Sequence, residues 1–211
     1  MIPTQEEWMA AVVARHGAQL QKRFFSATVA ICGLGGLGSN IAIALARAGI
    51  GKLILIDFDR VDVTNLHRQH YKAGQIVKYK TDALGENLLE IAPYIEIKTI
   101  TERITEDNVC SLLKDADVVC EAFDDSEEKA MLVNAVLEQF PNAYLVAASG
   151  MAGMGTSNSI RTRKVAKRFY LCGDEESDVA DTIGLVAPRV MLCAAHQAHT
   201  VLRILAEEYE V

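Results

Sequence analysis

The residues of this 211-residue chain whose types and spacing invite chemistry begin with a run of glycines. Gly33-Leu-Gly35-Gly36-Leu-Gly38 follows the apolar run Thr28-Val-Ala-Ile-Cys32 and opens a helix-forming segment at 39–48. Glycines there allow a tight turn and a close approach of main chain to phosphate. The helix N-terminus adds free N–H groups and the favourable end of a dipole. Roughly twenty residues on, Asp57 and Asp59 end the next apolar run, where an acidic side chain can hold ribose hydroxyls. A turn serving only packing is the alternative, but the strand–turn–helix–strand context favours a nucleotide. The turn does not choose the nucleotide, since a dinucleotide dehydrogenase and an ATP-using enzyme share its geometry.

The next stretch separates the two. Asp57-Phe-Asp59-Arg-Val-Asp62-Val-Thr-Asn65-Leu-His-Arg68-Gln69 is dense in polar groups, and Lys80 follows shortly after. A dehydrogenase needs only one acid here. Asn65, Arg68, Gln69 and Lys80 suit a polyphosphate under cleavage, whose charge must be held in a fixed geometry. Asn65 and Arg68 are three apart, so a helical turn puts both on one face; a solvated loop is the bland alternative. Further on, Val118-Val-Cys-Glu-Ala-Phe-Asp124-Asp125 places two carboxylates after a buried strand. That is the sheet edge where ligands of such folds bind, and a carboxylate there can share a hard cation with phosphate oxygens. Asp124 is preferred over Asp125 as the ligand; a cap for the helix at 126–139 is the other reading of Asp124 and does not exclude the first.

GLGGLGSN, DFDRVDVTNLHRQ and the downstream lysine resemble the ThiF/MoeB/HesA family, relatives of ubiquitin-activating enzymes, from about residue 15 to about residue 206. AASGMAG, IRTR and FYLCGD resemble more narrowly its short ThiF-like sulfur carrier protein adenylyltransferases. The resemblance implies ATP and magnesium as cofactors. It implies adenylation of the C-terminal carboxylate of a small ubiquitin-like sulfur carrier ending in Gly-Gly, with release of pyrophosphate. A ThiS-like carrier in thiamin thiazole synthesis is favoured, with a molybdopterin-type carrier or a tRNA-bound carboxylate as alternatives. By motif, Gly33, Gly35, Gly36 and Gly38 would line the phosphate turn, and Asp57 and Asp59 the ribose end. Asn65, Arg68 and Lys80 would hold the polyphosphate, Gln69 belongs to the same motif, and Asp124 would place magnesium. Lys129 stands where relatives usually carry arginine. Arg15 resembles an N-terminal arginine that some relatives insert into a neighbouring subunit's site, which implies a homodimer; an exposed helix charge is the other reading. Many relatives bind zinc through C-x-x-C pairs, which this sequence lacks, so no zinc is expected.

Some relatives use a cysteine to take up carrier or sulfur. Cys172 alone lies outside a predicted element and is the candidate, whereas Cys32, Cys110, Cys120 and Cys193 read as core. Cys193, His196 and His199 share one helix face among small apolar residues, which reads as packing rather than as a metal site.

Positioning these groups requires an α/β fold: a doubly wound, Rossmann-like, mostly parallel sheet with an irregular C-terminal extension. The expected organisation is one ATP-binding domain over 1–211, with an N-terminal helix at 1–25, a nucleotide-binding core at 26–150 and a carrier-binding part at 151–211. Apolar runs at 53–56, 95–100, 118–122 and 144–148 read as further strands, and 81–91 and 126–139 as helices. Thr105-Glu-Asp-Asn108 reads as a helix start capped by Thr105. Residues 160–171 alternate in polarity, 173–182 form an acidic mobile loop, and a last helix runs from near Pro188 to about residue 209. Apolar residues are 50% and charged residues 23%, the balance of a soluble globular chain. The net charge of −7 argues against nucleic acid as main partner. Five scattered cysteines, no export signal and no apolar run of membrane length point to the cytoplasm. Two rivals remain from other classes: a nicotinamide-dependent oxidoreductase and an inactive module that only holds a carrier.

Overall fold

The computed structural model describes residues 2–211; Met1 lies outside them. The strands are β1 (Thr28–Cys32), β2 (Lys52–Ile56), β3 (Glu96–Ile100), β4 (Val118–Glu121), β5 (Tyr144–Ala148), β6 (Arg161–Ala166) and β7 (Phe169–Gly173). They form one sheet in the order β3-β2-β1-β4-β5-β7-β6, parallel throughout except for β6 against β7. In β1, β2 and β5 four of five residues are buried, and in β4 all four are, as parallel strands covered on both faces require. The two edge strands, β3 and β6, carry the polar and exposed positions.

The helices are α1 (Gln5–His16), α2 (Ala18–Ser26), α3 (Gly36–Ala48), α4 (Lys80–Ile91), α5 (Val109–Leu113), α6 (Ser126–Gln139) and α7 (Ala187–Leu205). On one face Ile41 and Leu45 of α3, Leu84 and Leu88 of α4 and Val201 of α7 pack on Ile31, Leu53, Leu55 and Val146. On the other, Leu113 of α5 and Leu132 and Val136 of α6 pack on Ala30, Ile54, Val119 and Leu145. From β1 the chain winds outward to β2 and β3, then returns to the far side of β1 for β4 and β5. The winding therefore reverses between β1 and β4, and the carboxyl ends of the strands open a crevice there. Among the described residues no helix is long and apolar enough to cross a membrane.

The α/β class and the mostly parallel sheet are as expected; several details differ. The single N-terminal helix is two, broken at Gly17, whose φ of +82° and ψ of +148° leave the helical region. Thr105 does not cap a helix. Its N–H is taken by Asn108 Oδ1 at 2.8 Å, residues 105–108 form a turn, and α5 begins at Val109. The alternating segment after 160 is a hairpin that extends the sheet, so the C-terminal part contributes two strands and a 19-residue helix. That helix starts at Ala187 with Pro188 in its first turn and ends at Leu205.

Candidate active site

The glycine turn joins β1 to α3, and its four glycines differ. Gly33 has φ +88°, and a Cβ there would lie 2.7 Å from the Ala122 carbonyl oxygen. A Cβ on Gly38 would lie 1.9 Å from the Gly33 carbonyl oxygen. Both positions are closed by backbone. A Cβ on Gly36 would meet a Val190 methyl at 2.9 Å, whereas one on Gly35 would meet only Gln69 Nε2 at 3.7 Å. Asp57 fastens the turn to the end of β2. Its Oδ2 accepts from Leu34 N at 2.7 Å, and its Oδ1 from Asp59 N at 2.7 Å. Burial pushes the Asp57 carboxyl above the usual range, and nearby Lys80 with the two N–H groups opposes that only in part.

The turn opens into a cavity of about 740 Å³, into which Gly33, Gly35 and Gly36 face. Asp57, Asp59, Asn65, Arg68, Gln69 and Lys80 line its first wall. Lys80 Nζ lies 2.7 Å from Asp59 Oδ2 and 3.8 Å from Asp57 Oδ2; the lysine is buried while half of Asp59 is exposed. Asp57 is thus the buried support and Asp59 the acid presented to the cavity. Asn65 Oδ1 accepts from Asp62 N, and the turn continues to Arg68, whose N–H bonds the Asn65 carbonyl at 3.1 Å. Arg68 Nη1 donates to Thr64 O at 3.2 Å. Two polar atoms of this wall, Arg68 Nε and Gln69 Oε1, are buried without a partner among the described residues. Such atoms in a polar cavity fit a ligand rather than an empty wall.

The second wall comes from the ends of β4 and β5. Asp125 caps α6, its Oδ1 accepting from Glu127 N and Glu128 N at 2.9 Å each. That leaves Asp124 free of the capping role. Among the described residues its side chain makes no hydrogen bond, and it lines the cavity. A free carboxylate facing phosphate-binding main chain suits a hard cation. Sequence reasoning missed Lys129 as a cavity residue and Ser149-Gly150 after β5, and it missed Glu121, which lies buried behind this wall. The available signals were an ionisable residue ending an apolar strand, and a serine–glycine pair at the carboxyl end of β5.

Other candidates lie elsewhere. Arg15 is exposed near the end of α1 and does not line the cavity of its own chain. Cys172 is not in a loop: it is a buried residue of β7, its thiol pushed up to about 11 by burial. A buried, protonated thiol cannot take up a carrier without opening of the sheet. Cys110, expected in the core, is the exposed cysteine, on α5. Cys193 is buried in α7, and His196 Nδ1 pairs with Thr162 Oγ1 at 3.0 Å. The acidic segment after Gly173 is anchored at its start. Arg189 and Asp174 form a buried ion pair at 2.5 Å, and Arg189 also donates to the carbonyls of Ala152, Gly155 and Thr156. Burial alone would raise Asp174, but N–H groups of Ser177 and Glu176, the Ser177 hydroxyl and Arg189 hold it at about 2.

A model described as the ThiF family matches residues 9–211. The adenylyltransferase and sulfurtransferase UBA4 of Lodderomyces elongisporus is 27% identical over 205 residues, covering 94% of this chain and 45% of that protein. The sulfur carrier protein ThiS adenylyltransferase of Escherichia coli is 29% identical over 191 residues, covering 88% and 75%. The chain thus spans less than half the length of the first relative and three quarters of the second. Among solved structures, the Escherichia coli tRNA N6-threonylcarbamoyladenosine dehydratase in complex with ATP matches with a TM-score of 0.87 at 21% identity, covering 99% of this chain and 98% of that one. This last likeness is one of fold.

Proposed function

The chain belongs to the ThiF family, and on that premise we propose that it is an ATP- and magnesium-dependent adenylyltransferase acting on the C-terminal glycine carboxylate of a small, ThiS-like sulfur carrier protein. The observation that carries the reading is convergence. The glycine turn, the 57–69 stretch, Lys80 and Asp124 come from separate parts of the chain and line one cavity. In this reading an oxygen of the carrier carboxylate bonds to the α-phosphorus as the bond to pyrophosphate breaks, so no protein nucleophile is required. Magnesium supplies charge neutralisation on the polyphosphate, and Asp124 would hold it. Main-chain N–H groups of the turn and Arg68 meet the charge that develops. Lys80 passes from Asp59 to a phosphate oxygen, which releases Asp59 for the ribose hydroxyls.

A nicotinamide oxidoreductase would need only the turn and Asp57, and would leave Asn65, Arg68, Gln69 and Lys80 on the cavity wall without a role. The carrier, the thiamin pathway, a cytoplasmic location and a homodimer in which Arg15 enters the neighbour's cavity belong to the same proposal. The test is exchange of labelled pyrophosphate into ATP with purified candidate carriers ending in Gly-Gly. Exchange that disappears when the terminal glycine is deleted supports it. Exchange driven only by tRNA would move the acceptor to a tRNA-bound carboxylate, and none with any acceptor would refute adenylation.

A further inference from the structure

Glu121 closes β4 as a fully buried carboxylate behind the second cavity wall. Its Oε1 accepts from Phe123 N at 2.7 Å, immediately before Asp124. Its Oε2 accepts from Lys129 Nζ at 2.6 Å and lies 3.4 Å from Ala148 N at the end of β5. Lys129 Nζ also donates to the Ala148 carbonyl at 2.9 Å. The third proton of that ammonium has no partner among the described residues, and Lys129 lines the cavity. A buried ion pair is a poor means of stabilising a fold, because apolar replacements of equal volume are often as stable. What this pair does is geometric. One carboxylate fixes the exit of β4, the exit of β5 and the first turns of α6 at a single point.

Resting on the adenylyltransferase reading, we propose that Glu121 is a positioning residue of the site. It sets the place of Asp124 through Phe123 N–H, and it aims the remaining Lys129 N–H at an anionic oxygen of the nucleotide or acceptor. Lys129 thereby joins Arg68 and Lys80 as a cation of the cavity, on the opposite wall. Neutralising Glu121 removes the acceptor that holds Lys129 Nζ at 2.6 Å, so the ammonium is no longer aimed from that wall.

The experiment measures Mg-ATP affinity by calorimetry, with Tm, for the wild type, Glu121→Gln, Lys129→Met, the double variant and Asp124→Ala. Glu121→Gln is expected to weaken Mg-ATP about tenfold, as loss of a charge-assisted bond does. The double variant, free of the unpaired charge, should recover the Tm lost in the singles while its affinity stays low. Recovery of both Tm and affinity in the double variant would make the pair merely structural and overturn the proposal. So would wild-type affinity in Glu121→Gln; if that variant does not fold, Lys129→Met and the double variant decide. Failure of the wild type to bind Mg-ATP sinks the adenylyltransferase reading along with the proposal. Binding that Asp124→Ala abolishes but Glu121→Gln leaves unchanged sinks the proposal alone.

Discussion

Alanine at Gly38 and at Gly35 should separate folding from phosphate binding in a single turn. A Cβ on Gly38 would sit 1.9 Å from the Gly33 carbonyl oxygen, more than 1 Å inside any tolerable contact, and the atom it meets is backbone. Either α3 must lift from β1 or the turn must open. A clash this close with backbone takes the upper end of the overpacking range, about 3 kcal/mol, against about 1 kcal/mol gained by replacing a helical glycine. The net loss of about 2 kcal/mol should lower Tm by about 4–8 °C in a chain of this size. Gly35 is the contrast. Its φ is −76°, and the added Cβ meets only Gln69 Nε2 at 3.7 Å, so stability should stay within about 0.5 kcal/mol of wild type. That Cβ projects where a phosphate must approach the main chain, and Mg-ATP affinity should fall tenfold or more, about 1.4 kcal/mol. Scanning fluorimetry and calorimetry on the two variants decide the matter. Wild-type ATP affinity in Gly35→Ala together with wild-type Tm in Gly38→Ala would refute the reasoning. It would show that the turn neither packs as described nor cradles phosphate.

Replacing Arg189 by alanine leaves Asp174 buried and unpaired; unfolding in urea should show a loss of about 3–5 kcal/mol, with faster proteolysis between 174 and 186 than in wild type. The pH dependence of Asp174 has a definite sign. Its folded value of about 2 lies below the ordinary 3.8, so its contribution is complete above about pH 4 and is lost as pH falls through 2; urea midpoints between pH 5 and 2 should fall more steeply for wild type than for Asp174→Asn. Alkylation of the native protein at pH 8 should label Cys110 and spare Cys32, Cys120, Cys172 and Cys193 until urea is added, as mass spectrometry of peptides would reveal. Labelling of Cys172 at the rate of Cys110 would restore it as a sulfur-transfer candidate.

The sequence by itself determined the local elements and the order of the motifs. Apolar runs ending in glycine or aspartate read as buried parallel strands, and the turn at 33–38 read as a phosphate site because its glycines, strand and helix are all local. The same locality explains the misreadings. Gly17 and the Thr105–Asn108 turn depended on which local hydrogen bonds win, and Cys172 seemed free because the hairpin that buries it pairs β7 with β5, more than twenty residues earlier. Only tertiary structure decided how carboxylates two residues or fewer apart divide their roles. Asp57 is tied to the turn while Asp59 faces the cavity, and Asp125 caps α6 while Asp124 is left for a ligand. Neighbouring acids are chemically alike in sequence. Burial and the N–H groups within reach make them different, and those are set by strands that meet only once the sheet has formed.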